Sequence, residues 1–376
     1  MTTTKNNEHK KLNAPNLRFP EFQGEWNSFL INDVCSEFKS GKNIKADSIS
    51  ESGEYPVYGG NGLRGYTSSY NHEGSYVLIG RQGALCGNVR SVYGKTYITE
   101  HAIAVAGNEK SNTNFLHYLF LKMNLGQYSD QSAQPGLAVN KLLKLKVALP
   151  IISEQTKIAK LLSLLDERIA TQNKIIEDLK KLKCAIIDKV YSEIQGKEYS
   201  YGQLFDVVNE RNKQMEYSNI LSASQEKGMV NRDDLNLDIQ FERSNINTYK
   251  IVKKGDYVIH LRSFQGGFAF SDKLGVCSPA YTILRPNSLL EYGYLSNYFT
   301  SQRFIKSLVL VTYGIRDGRS INVDEWLRMK ITIPPKEHQQ YIVKVIGTFE
   351  RKIEDEEAYA AQLSIQKQYL LRQMFV

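Results

Sequence analysis

Two glycine-rich loops hold the residues of this sequence best suited to chemistry, and that chemistry is recognition. Tyr58-Gly59-Gly60-Asn61-Gly62-Leu63-Arg64-Gly65 and Gly80-Arg81-Gln82-Gly83, with Asn88 close behind, set arginine and amide side chains among glycines. Arginine bonds guanine O6 and N7 in a two-pronged way, and asparagine or glutamine does the same to adenine N6 and N7. The glycines let the loop backbone approach phosphate oxygens. A second set follows at corresponding positions, Arg262-Ser263-Phe264-Gln265-Gly266-Gly267, with Arg316 and Arg319 in a comparable loop. The expected DNA contacts are therefore Tyr58, Asn61, Arg64, Arg81, Gln82 and Asn88 in the first half, and Arg262, Ser263, Gln265, Arg316 and Arg319 in the second.

Other chemistries lack their residues. Gly60-Asn61-Gly62-Leu63-Arg64-Gly65 fits the dinucleotide pattern G-x-G-x-x-G in letters only, because no helical period follows and position 85 is a leucine where an acid is needed. Gly94-Lys95-Thr96 lacks the P-loop's first glycine, since position 89 is a valine. Pro334-Pro335 stands between Ile333 and Lys336, which is not the N-P-P-[YF] stretch of adenine methylation. The six histidines show no metal spacing. Glu100-His101 is the nearest acid/base pair, but reading Tyr97 to Val105 as one strand sends these neighbours to opposite faces. No catalytic residue and no metal site is expected. Four cysteines without a C-x-x-C read as reduced packing residues.

The elements that must position these loops occur twice. A shift of 184 positions, from Pro150 to Pro334, carries Val139, Leu143, Lys146, Gln155, Ile158, Lys160, Ile169, Leu179 and Lys183 onto identical residues. Each copy is a strand-like run, a proline and a long helix. In the first, Ile158, Leu162, Leu165, Ile169, Gln172, Ile176, Leu179, Lys183, Ile186 and Val190 alternate steps of four and three, the seam of a coiled coil. In the second, Ile342, Ile346, Phe349, Ile353, Glu356, Ala360, Leu363, Lys367, Leu370 and Met374 do the same. Two equal stripes most simply pack on each other, antiparallel and within the chain. That pairing places Lys180 and Lys181 near Asp355, Glu356 and Glu357.

The expected fold is α+β: two mixed α/β domains, at 18–150 and 197–333, joined by helices at 151–196 and 334–376 in a pseudo-two-fold repeat, after a flexible lead-in at 1–17. Strands are expected at Ser75 to Ile79 and Tyr97 to Val105, and a helix at Asn114 to Met123 behind an Asn/Thr cap. Gly293 to Phe299 echoes Asn114 to Phe120. A length of 376 residues allows several domains, and a net charge of +8 leans towards a polyanionic partner. The polar start and the lack of a long apolar run suggest neither a signal peptide nor a membrane helix, so the expected location is cytoplasmic with no membrane partner.

The ordered pieces resemble the specificity subunits of type I restriction-modification enzymes. They include Pro15-Asn16-Leu17-Arg18-Phe19-Pro20-Glu21-Phe22 with Gly24-Glu25-Trp26, Tyr55 to Gly62, Gly80 to Gly83, Cys277-Ser278-Pro279-Ala280-Tyr281, and Leu149-Pro150 with Glu154-Gln155. The second copy departs at one place, with His338-Gln339 for the Glu-Gln pair. The resemblance implies two target-recognition domains held apart by the repeated helices, each reading half of a split, asymmetric double-stranded DNA site. It implies two modification subunits that methylate adenine, and restriction subunits that act as motor and nuclease. S-adenosylmethionine, ATP and magnesium would belong to those partners, leaving this chain non-catalytic and without a cofactor of its own. The reading from another class is a coiled-coil scaffold with no role in DNA sequence recognition.

Overall fold

The computed structural model describes residues 13–130, 135–224, 227–234, 243–260, 267–313 and 320–376. The chain divides into two compact units, Met1–Asn173 with Ala358–Val376, and Lys174–Glu357. Each takes part of both long helices, Ile152–Glu193 and Lys336–Gln373.

Among its described residues the first unit has eight strands: β1 (Asn27–Leu30), β2 (Cys35–Ser40), β3 (Tyr55–Gly59), β4 (Gly62–Thr67), β5 (His72–Gly80), β6 (Val89–Ile98), β7 (Ala102–Gly107) and β8 (Lys146–Leu149). Six form a sheet in the order β2-β7-β5-β6-β3-β4, while β1 and β8 pair separately. Alternation along the strands fills both faces. Val77, Ile79, Ile103 and Val105 enter the main core, whereas Leu78, Ala102 and Ala104 join a smaller cluster with Val92 and Ile98. The helix Thr113–Met123 closes the main core with Phe115, Leu116, Leu119 and Phe120. Its cap is Asn112, whose side chain accepts from the Asn114 and Phe115 amides and so satisfies two of the helix's unpaired donors.

The second unit repeats this plan with shorter strands: β9 (Lys197–Ser200), β10 (Phe205–Val208), β11 (Leu221–Ser224), β12 (Gly228–Asn231), β13 (Lys250–Val252), β14 (Tyr257–Ile259), β15 (Phe268–Phe270), β16 (Gly275–Cys277), β17 (Thr282–Pro286), β18 (Thr312–Tyr313), β19 (Ser320–Ile321) and β20 (Lys330–Ile333). The order β10-β17-β14-β15 matches β2-β7-β5-β6, and the β9·β20 pair matches β1·β8. Its core is aromatic: Tyr201 stacks on Trp326 at 4.2 Å between ring centroids, with Phe205, Phe268 and Phe299 around them. The expected echo of the capped helix is weaker than its sequence suggests. Gly293 to Phe299 forms a run of turns, whereas Asn114 to Phe120 is helical.

The long helices run antiparallel, and both seams are covered. In the first unit Ile158, Ala159 and Leu162 share a core with Leu370, Met374 and Phe375. In the second, Ile187 and Val190 share one with Ile342 and Ile346. Every seam residue named from the heptads is buried or half-buried. The two seam lysines find equivalent partners: Lys183 pairs with Glu350 at 2.8 Å, and Lys367 pairs with Asp166. Both acids lie 184 positions apart, as the lysines do. Lys180 meets Glu357 at 2.6 Å as antiparallel pairing predicts, while Lys181 pairs with Glu177 on its own helix.

The repeated glutamine explains why each long helix starts where it does. Gln155 has no exposed surface and Gln339 only 1%. The Gln155 amide donates to the Lys110 and Pro150 carbonyls and accepts from the Asn112 backbone N–H. Gln339 donates to Leu289 and Pro334 and accepts from Glu291. One side chain thus satisfies three backbone groups that would otherwise be buried and unpaired. The departure beside it is also local. Glu154 is fully buried and holds Arg18 through two bonds of 2.7 Å, an anchor for the N-terminal segment.

Two further expectations change. Residues Asn13–Leu17, read as part of a flexible lead-in, are tied down: Asn13 bonds the Trp26 backbone in both directions, and the Leu17 N–H donates to the Gln373 carbonyl. Tyr97 to Val105 is not one strand, because the chain turns at Thr99 to His101, where the Ala102 N–H donates back to the Thr99 carbonyl.

Two outcomes follow from these contacts. Gln155→Ala or Gln339→Ala strands three buried polar groups and should lower stability by at least ~1–3 kcal/mol in denaturant titration, with Glu at either position little better because a carboxylate cannot donate. Burial and then Lys367 push the His117 ring down to about 4, against Asp166. The unfolded chain takes up this proton near its ordinary value and the folded chain does not, so stability should fall as pH drops from about 6.5 to about 4. His117→Phe should flatten that slope in unfolding curves across the same range.

Candidate nucleic-acid interface

The predicted contacts of the first unit sit on a stiff frame. The segment after β5 is held on both sides: the Arg81 N–H donates to the His101 carbonyl at 2.9 Å, and the Leu137 N–H donates to the Arg81 carbonyl at 2.9 Å. The Gly83 N–H bonds the Pro135 carbonyl, and the Gly80 N–H bonds the Asn88 carbonyl. Gln82 also forms a bridge with Gly136. With the backbone fixed at so many points, only the side chains remain free to vary the surface this loop presents.

The two glycine loops come together because neither has side chains in the way. A Cβ on Gly60 would lie 2.7 Å from the His101 carbonyl oxygen and 3.4 Å from the Gly80 Cα. One on Gly80 would lie 2.5 Å from the Leu85 carbonyl and 2.9 Å from that of Gly60. The approaches of 2.5, 2.7 and 2.9 Å are shorter than real Cβ contacts, so the close approach of β3, β5 and the turn before β7 requires glycine.

This approach creates an open cleft of about 280 Å3, lined by Gly59, Gly60, Asn61, Arg64, Gln82 and His101. Three of the predicted residues, Asn61, Arg64 and Gln82, meet there. His101 is a lining residue that the sequence reading set aside with Glu100, on the premise of a continuous strand. In the turn the two side chains are neighbours, with His101 Nε2 3.1 Å from Glu100 Oε1. A further cation stands nearby, since the Arg90 guanidinium carbon lies 3.0 Å from where a Cβ on Gly62 would sit. The signal that could have found Arg90 and His101 is tertiary, for neither lies in a glycine loop.

Other predicted residues lie apart from the cleft lining. Tyr58 is half-buried and packs against the small cluster behind the sheet. Arg81 is half-buried, and Asn88 is exposed with its carbonyl bonded to Gly80. In the second unit Arg262, Ser263, Gln265, Arg316 and Arg319 all fall outside the described residues. What is described there is the base of the first loop, where the His260 N–H donates to the Gly267 carbonyl at 2.8 Å between β14 and β15. This hairpin corresponds to β5 and β6 of the first unit by strand order.

The charges around the cleft differ from those in the scaffold. Arg18 and Arg285 are each tied to carboxylates, Arg285 to Asp256 at 3.0 Å and Glu210 at 2.9 Å. Among the described residues Arg64 and Arg90 have no ion pair, which leaves both guanidinium groups free to meet an anion. No helix of the described residues is long and apolar enough to cross a membrane, and no cluster among them could hold a metal ion.

Comparison with known proteins converges on one family. The family model described as the type I restriction modification DNA specificity domain matches residues 23–181 and again 196–364. A 154-residue stretch is 42% identical to the EcoprrI specificity subunit of Escherichia coli, covering 40% of this chain and 38% of that protein. Over 351 residues the chain is 25% identical to a protein of Haemophilus influenzae that carries the description of a type I restriction enzyme specificity subunit, covering 87% of each. The crystal structure of the type I S subunit from M. genitalium shares the fold, with a TM-score of 0.63 at 15% identity over 96% of this chain and 99% of that one. A chain from a type I system solved for its complex assembly and conformational transition superposes at a TM-score of 0.57 with 14% identity, over 93% and 97%.

Gly60→Ala tests the cleft without touching a charged group. Its methyl group collides with backbone rather than with a flexible side chain, so binding of duplex DNA should weaken at least ~10-fold while the far-UV circular dichroism stays that of the parent. Unchanged affinity would show that the cleft geometry is not used.

Proposed function

Because the chain belongs to the type I restriction modification DNA specificity family, we propose that it reads a split, asymmetric double-stranded DNA site and directs partner subunits to it. One target-recognition domain, residues 18–150 or 197–333, reads each half, and the paired helices set the spacer. The observation that carries this is the meeting of Asn61, Arg64 and Gln82 on a backbone-locked cleft whose arginine, Arg64, has no carboxylate partner among the described residues. These are the donors and acceptors that read major-groove edges and bind phosphates.

The division of labour follows from the fold. Strand order β2-β7-β5-β6 recurs as β10-β17-β14-β15, so one scaffold is used twice. The loops it carries differ, Gly80-Arg81-Gln82-Gly83 against Arg262-Ser263-Phe264-Gln265. A shared scaffold with different loops suits an asymmetric target. The chemistry belongs to partners: two modification subunits with S-adenosylmethionine would methylate adenine, and restriction subunits with ATP and magnesium would cleave. This chain is the non-catalytic subunit, and the cytoplasm, where the DNA is, is its place of action.

In complex with its modification partner, Arg64→Ala or Arg81→Ala should reduce specific binding by ~1–3 kcal/mol and relax methylation of duplexes altered in one half of the site only. The logarithm of affinity should fall with the logarithm of salt at a slope near −5 if about six phosphates are engaged. Equal loss on both halves would contradict the assignment of one domain per half. Salt-independent binding would favour the scaffold reading.

A further inference from the structure

We propose that Arg90 binds a phosphate of the DNA backbone at the rim of the cleft, and that position 62 is glycine so that the Arg90 guanidinium can seat there. The inference rests on the DNA-reading role proposed above and deepens it by adding an anchor for the DNA backbone.

The seat shows in the burial of the β3-β4 hairpin. Asn61, Leu63 and Arg64 are exposed, yet Gly62 among them is buried. Outside its chain neighbours, the three atoms nearest to where a Gly62 Cβ would stand are Cζ, Nη2 and Nε of Arg90, at 3.0, 3.1 and 3.4 Å. The guanidinium therefore lies against the backbone of the turn. Arg90 reaches it from β6, where its backbone is opposite Leu78 of β5. Leu78 and Val92, its cross-strand and same-face neighbours, are buried in the small cluster, so the strand under Arg90 is held while its own side chain is exposed.

A second arginine covers the facing glycine of the same hairpin. Gly59 is opposite Gly62 in the register, and Arg64 Cδ lies 2.9 Å from where a Gly59 Cβ would stand. Directly opposed residues have Cα atoms about 5 Å apart, so two cations share one narrow turn. Neither has an ion pair or a side-chain hydrogen bond among the described residues, whereas Arg18 and Arg285 of the scaffold are each held by carboxylates. Like charges gathered without a carboxylate repel, and an anion at the turn relieves them both. Position divides their roles. Arg64 lines the cleft with Asn61 and Gln82, and Arg90 lies outside that lining. A guanidinium on the rim suits the phosphate oxygens beside a groove, which fix register and carry no sequence.

The test uses the full chain in complex with its modification partner and duplexes carrying the mapped target. Arg90→Ala should reduce the salt slope by about 0.9 and weaken binding roughly 5-fold to 10-fold at about 0.1 M salt, the factor that one released counterion contributes there. Discrimination against duplexes altered in either half should change less than about 2-fold. Arg90→Lys should keep most of the affinity and slope. Arg90→Met, which keeps the stem and drops the charge, should behave as alanine does, which a merely structural arginine would not. Replacing phosphates one at a time by neutral methylphosphonates should find one position that weakens the parent and leaves Arg90→Ala unaffected. Gly62→Ala should cost more affinity in the parent than in Arg90→Ala, because only the parent has a guanidinium to displace; the strain of its positive φ of 107° enters both backgrounds alike. An unchanged slope, full affinity of Arg90→Met, loss of discrimination at a single base pair, additive effects of every phosphate replacement, or equal cost of Gly62→Ala in both backgrounds would overturn the inference. If Arg90→Ala changes nothing while Arg64→Ala still relaxes one half of the site, the inference falls and the DNA-reading role stands. If neither variant matters, both fall.

Discussion

Neither unit closes its core without the ends of both long helices. Ile158, Ala159 and Leu162 from the start of one helix and Leu370, Met374 and Phe375 from the end of the other complete the first core. Ile187 with Ile342 and Ile346 does the same in the second. Each fully buried aliphatic side chain is worth ~1.5–3 kcal/mol, so a handful at each end outweighs any surface ion pair. The seam lysines add register rather than bulk stability. Lys183 and Lys367 each interrupt an apolar stripe at a cost, and each recovers part of it only where Glu350 or Asp166 lies opposite. A shifted register would leave a half-buried charge unpaired.

The glutamines couple that helical frame to the sheets. Gln155 and Gln339 bond the proline carbonyl ahead of their own helix and two groups of the neighbouring domain. A helix start secured in this way cannot rotate without breaking several buried bonds at once. The recognition loops are then carried on strands whose backbone partners are already fixed, from Arg81 with His101 and Leu137 to His260 with Gly267. Rigid bases under variable side chains let one scaffold carry two different loop surfaces.

Much of this architecture is legible in the sequence because repetition and period are strong signals. The shift of 184 positions aligns helices, prolines and seam lysines without a gap, and the four-three alternation names residues that are buried or half-buried without exception. The cap at Asn112 is legible for the same reason, since local chemistry decides it. What failed were features set by tertiary contacts. Tyr97 to Val105 has strand propensity throughout, yet the need to bring His101 against Gly60 and Arg81 breaks it into a turn. Reading it as one strand hides His101 from the cleft. Gln155 and Gln339 were visible as identical residues, but their burial and triple bonding are properties of two segments meeting. Asn61, Arg64 and Gln82 were found because glycine loops advertise close approach, and Arg90 was not because it stands on a strand.

The central claim is that this chain chooses where DNA is methylated. Long-read mapping of methylated adenines in a host carrying the chain and its modification partner, compared with the same host lacking the chain, tests it most directly. The account predicts a single split motif, with two unequal halves at constant spacing, that appears only when the chain is present. Methylation without such a motif, or the same motif in its absence, would contradict it.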